Sequence, residues 1–155
     1  MTDLQKHGKD LLSEALTQLW KAMFELTRPT YPPTPLPRPP AKPVRLTRKL
    51  ELRVNVEDGR CVVVRIFAGE RLLRSFEVHD KTDYAKNPSD LVERMMPYLS
   101  RPRALANCLR QLQWLTVWMR KRAEGRRRAA EEILLQQRKW VEKLESEIAL
   151  RKLGE

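Results

Sequence analysis

The stretch that follows Pro102 constrains this 155-residue chain most, because it continues to Glu155 without another proline. When its residues are placed at about 100° per residue, the apolar side chains fall in one sector roughly 120° wide. They are Leu105, Cys108, Leu109, Leu112, Leu115, Met119, Ala123, Ala130, Ile133, Leu134, Val141, Leu144 and Ile148. The sector keeps its phase through Gly125, and a glycine in mid-helix costs only about 1 kcal/mol relative to alanine. The pattern predicts one helix over residues 103–153, with a break near Gly125 as the alternative.

The length of this helix predicts a contact outside the domain. A helix of about 50 residues is roughly 75 Å long, whereas strands of about ten residues span only about 33 Å. The apolar residues of the distal half therefore need another surface, which is the N-terminal helix, a second copy or another protein. We predict a homo-oligomer or a subunit of a complex, with coiled-coil contacts, and a partner-binding surface formed by Leu134, Val141, Leu144 and Ile148.

Two segments precede the predicted domain. Residues 4–27 predict an amphipathic helix with heptad spacing, and its stripe is a second candidate partner surface: Leu12, Leu16, Leu19, Met23 and Leu26. Residues 29–46 hold eight of the eleven prolines, which excludes a helix or a central strand there. We interpret them as a stiff tether that reaches roughly 55 Å.

Residues 48–79 predict a three-stranded antiparallel meander. A two-residue turn at Asp58-Gly59 sets Val56 opposite Cys61. A second turn at Gly69-Glu70 sets Phe67 opposite Leu72, and Arg65 then faces Arg74. One face of the sheet is predicted to contain Leu50, Leu52, Val54, Val56, Cys61, Val63, Phe67, Leu72, Phe76 and Val78. We expect Arg65 and Arg74 to extend outward or to meet a carboxylate such as Glu93, with the binding of an anion near the end of the sheet as the alternative.

A short helix is predicted to begin at Asn87-Pro88, with Asp90 in its first turn. The fold class is therefore α+β. We expect four parts along the chain, namely an interaction helix (1–28), a proline-rich linker (29–46), a small sheet-plus-helix domain (47–124) and a C-terminal helical extension for oligomer or partner contact (125–155).

The net charge of +11 is concentrated in one segment. Residues 101–128 contain nine basic residues and one acidic residue, Glu124, which gives +8. Arginine suits phosphate because its planar group donates two parallel hydrogen bonds. The predicted nucleic-acid-binding residues are Arg101, Arg103, Arg110, Trp114, Arg120, Lys121, Arg122, Arg126, Arg127, Arg128 and Lys139. We expect them to contact the phosphate backbone with little sequence specificity.

Other interpretations of the basic segment remain open. It is a solvated face, paired within the chain by Glu124, Glu131 and Glu132, or it binds an acidic protein surface. We predict a non-catalytic adaptor or architectural protein that associates with nucleic acid. The alternatives are a structural or assembly subunit of a larger particle, such as a virion, and a regulator that docks on a polymerase or another large enzyme.

The sequence contains no motif of the common catalytic classes. GxxxxGK[ST], GxGxxG, HExxH and CxxC are all absent. Cys61 and Cys108 have no metal-ligand spacing, and we interpret them as small core residues in a reducing compartment. We expect no catalysis, no metal and no cofactor. No apolar run approaches the roughly 18 residues of a membrane span, so we expect no membrane contact and a location in the cytoplasm, or within a virion or nucleoprotein particle.

Overall fold

A computed structural model describes residues 3–40, 42–57, 61–79 and 88–154. In chain order the elements are α1 (Asp3–Thr27), β1 (Pro43–Arg45), β2 (Leu50–Glu57), β3 (Cys61–Ala68), β4 (Arg71–His79), α2 (Pro88–Met95), a 3-10 turn (Met96–Leu99) and α3 (Pro102–Gly154). The strands form one antiparallel sheet in the order β1-β2-β3-β4. The predicted α+β class is confirmed.

The C-terminal helix α3 is continuous over 53 residues, which makes it about 80 Å long. The break near Gly125 does not occur, and a Cβ added there would meet nothing within 4 Å. Burial divides α3 into two halves. Its inward positions are buried as far as Ala130, whereas every residue from Glu131 to Gly154 is exposed, except for the half-buried Leu134.

The apolar stripe of α1 packs against α3 and α2 of the same chain. Its five a/d residues are at most 2% exposed; they are Leu12, Leu16, Leu19, Met23 and Leu26. The two helices approach closely at Gly8, where an added Cβ would lie 2.8 Å from Leu105 Cδ2. The α1 stripe is therefore part of this chain's own core and forms no exposed surface.

The core is one hydrophobic cluster. It combines the α1 stripe with α2, the first half of α3 and one face of the sheet. The sheet contributes the buried residues Val44, Leu52, Val54, Val62, Val64 and Ile66, and Leu46 follows β1 directly. The one buried polar side chain among the described residues is Thr116, whose hydroxyl donates to the Leu112 carbonyl oxygen at 2.8 Å.

A fourth strand, β1, lies within the segment interpreted as a linker. Pro43 lies opposite Arg53, and Val44 lies opposite Leu52 and points into the core. β1 is an edge strand, where a proline without an N–H is tolerated. Between Arg28 and Pro40 the described chain contains neither helix nor strand, which agrees with the expectation for a proline-rich segment.

The predicted register of β3 is wrong by one residue. The Asp58-Gly59 turn lies outside the described residues, but Glu57 pairs with Cys61 and Val56 with Val62. Three residues therefore separate the paired strands instead of two. Because a one-residue shift exchanges the faces of a strand, Val62, Val64 and Ile66 face the core in place of Cys61, Val63 and Phe67.

The second hairpin contains a compensating irregularity. Gly69, with φ of 62°, forms the expected turn, and Phe67 pairs with Leu72 as predicted. The register then shifts between Phe67 and Ile66, so that Ile66 pairs with Arg74 and Arg65 with Ser75. The predicted pairing of Arg65 with Arg74 is therefore wrong, and Leu72, placed in the core by the sequence, is 48% exposed.

Arg65 meets a carboxylate as expected, but its partner is Glu57 and not Glu93. Arg65 Nη2 lies 2.8 Å from Glu57 Oε1, while Glu93 pairs with Lys9 at 2.7 Å. The helix expected after the sheet is α2, which begins at Pro88 with Asp90 in its first turn. Asn87 and the side chain of Val78 lie outside the described part of the chain.

Candidate nucleic-acid interface

The surface of α3 that points away from the core contains a row of cationic side chains. Arg103, Arg110, Lys121 and Arg128 are all exposed, and Trp114 lies in the same row at 37% exposure. We call these five residues the outer face of α3. The row runs about 38 Å along the helix axis at 1.5 Å per residue. A rigid helix packed on the core therefore holds the row in place.

Most cations of the outer face are unpaired. Arg103, Arg110 and Lys121 have no hydrogen-bonding or ion-pair partner within the described ranges. Arg128 Nη2 lies 2.6 Å from Glu124 Oε1, but both side chains are more than half exposed, and such pairs are weak. Glu131 and Glu132, which the sequence offered as further internal partners, form no ion pair with a described residue.

The residue just before β1 is a cation that sequence reasoning missed. Lys42 Nζ lies 3.9 Å from the centroid of the Trp114 ring, a cation–π contact. A cleft of about 480 Å³ separates β1 from α3, and it is lined by Lys42, Pro43, Val44, Arg45, Asn107, Arg110, Gln111 and Trp114. The signal that could have found Lys42 is the run Lys-Pro-Val-Arg, in which two cations flank a proline and a valine.

Arg126 was predicted to bind nucleic acid, but its guanidinium is used within the chain. Nε donates to Thr34 Oγ1 at 3.0 Å, and Nη2 donates to the Thr34 carbonyl oxygen at 3.1 Å. Nη1 donates to the carbonyl oxygens of Leu26 and Arg28. These hydrogen bonds fix the end of α1 and the proline-rich segment on the side of α3, so Arg126 is not available to a ligand in this structure.

The other predicted cations lie beside the outer face or beyond it. Arg120 Nη2 donates to Gln18 Oε1 at 2.6 Å, and the Arg122 guanidinium lies 5.3 Å from the centroid of the Trp118 ring. Arg101 and Arg127 are exposed. Lys139 is exposed in the distal half of α3, about 16 Å beyond Arg128 along the axis. The structure therefore separates one continuous row from several flanking residues.

The described residues form no metal-binding cluster, and the Cys108 thiol is buried. Within the described ranges, no three His, Cys, Asp or Glu side chains lie together in a way that could hold a metal ion. Burial raises the pKa of the Cys108 thiol to about 12, so this thiol stays protonated and unreactive at neutral pH. Over the same residues, no helix combines the length and the apolar character needed to cross a membrane.

The predicted partner residues of distal α3 are accessible. Val141, Leu144 and Ile148 are 52%, 52% and 53% exposed, and Leu134 is half-buried. Trp140, at 64% exposure, lies beside them, with Lys143 Nζ 5.4 Å from its ring centroid. Unlike the α1 stripe, this apolar surface is not covered by the part of the chain that the structure describes.

No protein-family model, curated protein or solved structure significantly matches this chain. The fold defines a small α+β protein with a four-stranded antiparallel sheet and one long projecting helix.

Proposed function

We propose that this protein is a non-catalytic adaptor that binds the phosphate backbone of nucleic acid through the outer face of α3. The observation that carries the proposal is the row of exposed cations Arg103, Arg110 and Lys121 on one rigid helix, which have no partner among the described residues. Lys42, stacked on Trp114, extends the same positive surface onto β1.

The physical argument concerns the shape of the ligand. Cations spaced along about 38 Å of a straight helix suit an extended anion with regularly placed charges. A nucleic-acid backbone has this form, and its binding releases condensed counterions, which favours association at low salt. Arginine predominates in the row, and its planar group matches phosphate geometry. Trp114 is a single aromatic residue, which is too few for a platform that stacks successive bases of a single strand.

The test is the fluorescence anisotropy of labelled duplex DNA, single-stranded DNA and RNA, titrated with the full chain across a salt series. We expect micromolar or tighter binding to several unrelated sequences at low salt. The plot of log K against log salt should have a slope of about −4, as expected for four to five neutralised phosphates.

Two triple variants separate the outer face from the overall charge. Arg103→Glu, Arg110→Glu and Lys121→Glu together should weaken binding by more than about 100-fold. The matched control reverses three exposed cations elsewhere, Lys6, Lys21 and Arg71, and should weaken binding only a few-fold. Circular dichroism checks that both variants stay folded.

Two results would overturn the proposal. Equal losses in the two variants would mean that total charge, and not the outer face, attracts the polyanion. Absence of binding to all three nucleic acids at low salt would exclude nucleic acid as the ligand, and an acidic protein surface would be the ligand class to examine next.

A further inference from the structure

The distal half of α3, residues 131–154, is an amphipathic helix without a partner in the described chain. We call it the distal segment. Its apolar positions follow the 3-4 spacing of a coiled coil, with Leu134, Val141 and Ile148 at a positions and Leu144 at a d position. The segment is balanced in charge, with five basic and five acidic residues, so electrostatic repulsion does not prevent two copies from associating.

We propose that the distal segments of two copies of this chain pair as an antiparallel coiled coil, centred between Val141 and Leu144. This proposal does not depend on nucleic-acid binding, because it concerns a different half and a different face of α3. We call α1, α2, the sheet and the first half of α3 the body. Three features of the described residues support the proposal: the position of the body on α3, the order of charges beside the apolar stripe, and the composition of the apolar layers.

The body determines the orientation of the two helices. The buried positions of the first half, such as Met119 and Ala130, lie on the same side of α3 as Val141 and Ile148. In a parallel pair, the partner's first half would therefore run through the volume that α1 already occupies. In an antiparallel pair, the partner's body lies beyond the other end of the paired segment, so the two bodies do not collide.

The flanking charges select the register. In an antiparallel coiled coil, residues at e positions of the two helices face each other. The e positions of the distal segment are Glu131, Arg138, Glu145 and Lys152. When Val141 packs against the partner's Leu144, Arg138 lies beside the partner's Glu145, and Glu131 lies beside the partner's Lys152. By symmetry each pair occurs twice, which gives four attractive contacts.

The neighbouring antiparallel registers are disfavoured. A shift of one heptad toward the body sets Arg138 beside the partner's Arg138 and Glu131 beside the partner's Glu145. It also brings the partner's Ile148 to the layer of Ala130, which α3 already buries against its own body. A shift in the opposite direction sets Glu145 beside the partner's Glu145. Only the central register has attractive pairs at every e position and leaves the body undisturbed.

The apolar layers agree with this register. Each of the two central layers pairs Val141 with the partner's Leu144. In the next layer Gln137 packs beside the partner's Ile148, whereas in a parallel pair it would meet the partner's Gln137. Arg151, at a d position, lies beside the partner's Leu134, where its long side chain can extend to solvent. A parallel pair would instead set Arg151 against the partner's Arg151, which places like charges in the layer.

Sedimentation equilibrium of the full chain measures the association directly. We expect a monomer–dimer equilibrium. Arg138→Glu should weaken the dimer roughly tenfold, because two attractive pairs become repulsive, and Glu145→Arg should do the same. The double variant Arg138→Glu with Glu145→Arg should restore the wild-type affinity, because it exchanges the two charges. Lys139→Glu is the matched control, since Lys139 lies opposite the apolar stripe.

A distance measurement tests the orientation. A spin label at Glu132→Cys lies outside the interface, and the two native cysteines are buried. In the proposed dimer the two labels are about 32 Å apart along the axis, whereas in a parallel dimer they lie at the same height.

Each other outcome overturns the proposal. A chain that stays monomeric at several hundred micromolar with an intact helix has no such interface. Labels at the same height exclude the antiparallel arrangement. A double variant that is no stronger than Arg138→Glu alone excludes the register, and a trimer or tetramer excludes the pair.

Discussion

Arg126 holds Thr34 by two hydrogen bonds, since Nε donates to the Thr34 hydroxyl at 3.0 Å and Nη2 donates to its carbonyl oxygen at 3.1 Å. Residue 34 lies in a segment that has no regular hydrogen bonding of its own, and proline supplies no N–H donors there. The proline-rich segment is therefore attached to α3 by a side chain of α3. The sequence predicts a free spacer for the proline-rich segment, but in the fold the segment is held against α3. We call this attached segment the strap.

Removing this contact should release the strap. Arg126→Ala leaves the carbonyl oxygens of Leu26, Arg28 and Thr34 without their charged donor, and we expect the free energy of unfolding to fall by about 2 kcal/mol. The backbone amides of residues 28–38 should then exchange their hydrogens faster under native conditions. Arg127→Ala is the control, because Arg127 is exposed and has no partner among the described residues. Equal effects of the two changes in urea unfolding would contradict the structural role of Arg126.

The continuity of α3 predicts a stabilising change at Gly125. A Cβ added there meets nothing within 4 Å, so Gly125→Ala should gain the helix propensity of alanine, about 1 kcal/mol, and raise the Tm by about 3 °C. Gly69→Ala is the opposite control, since the φ of 62° at Gly69 disfavours any Cβ and the Tm should fall. A lower Tm for Gly125→Ala would show that α3 bends or breaks at this residue.

Periodicity over many residues predicted the helices well. The apolar stripe of α3 runs from Leu105 to Ile148, about six heptads. A phase error would accumulate over that length and become visible, and the continuous helix was predicted correctly through Gly125. The heptad spacing of α1 likewise located the helix. It could not indicate whether Leu12 and Leu16 meet their own chain or another, because an apolar stripe has the same spacing in either case.

The sheet could be predicted only in part. In β3 the run from Cys61 to Val64 is apolar throughout, so alternation cannot indicate which face is buried, and the two turns had to determine the register. The first turn assignment gave a one-residue error, and the register shift between Ile66 and Phe67 gave a second one that cancels it. As a result β2 and Phe76 of β4 were oriented correctly while β3 from Cys61 to Ile66 was inverted. Agreement between two turns is therefore weak evidence when the strand between them has no alternation.

Charge and helical spacing predicted which surface of α3 forms the candidate site. The structure then showed which of the predicted cations are already bonded within the chain. A helical wheel placed Arg103 and Lys121 on the outer face correctly, because their spacing alone sets the direction. The wheel could not show that Arg126 is satisfied by Thr34, since that contact joins residues 92 positions apart. Lys42 was missed for the same reason, because β1 approaches Trp114 only in the folded chain.

The buried thiol of Cys108 predicts a loss of stability in alkali. Below pH 9 the thiol is neutral in both the folded and the unfolded chain. Between its ordinary pKa of 9.0 and its raised pKa of about 12, only the unfolded chain releases the proton. The free energy of unfolding should therefore fall by up to about 1.4 kcal/mol per pH unit in this range.

Urea unfolding of wild type and Cys108→Ala at pH 7 to 10.5 isolates this contribution. The variant loses stability at every pH through the lost packing, but its decline above pH 9 should be shallower than that of the wild type. Parallel declines would mean that Cys108 does not stay protonated in the fold. As an independent measure, Cys108 should react with a thiol reagent at pH 8 only at the rate of unfolding.

The two proposals together predict that the dimer bridges two nucleic-acid molecules. The outer face of α3 points away from the apolar stripe, so the two outer faces of an antiparallel pair point in opposite directions, and a single straight duplex contacts only one of them. Protein captured on an immobilised duplex of about 20 base pairs should therefore retain a second, fluorescent duplex of different sequence. The variant Val141→Asn with Leu144→Asn, which polarises the two central layers, should bind a single duplex as tightly as wild type in anisotropy but should retain no second duplex. Retention of the second duplex by this variant, at concentrations where sedimentation shows it to be monomeric, would contradict bridging through the distal segment.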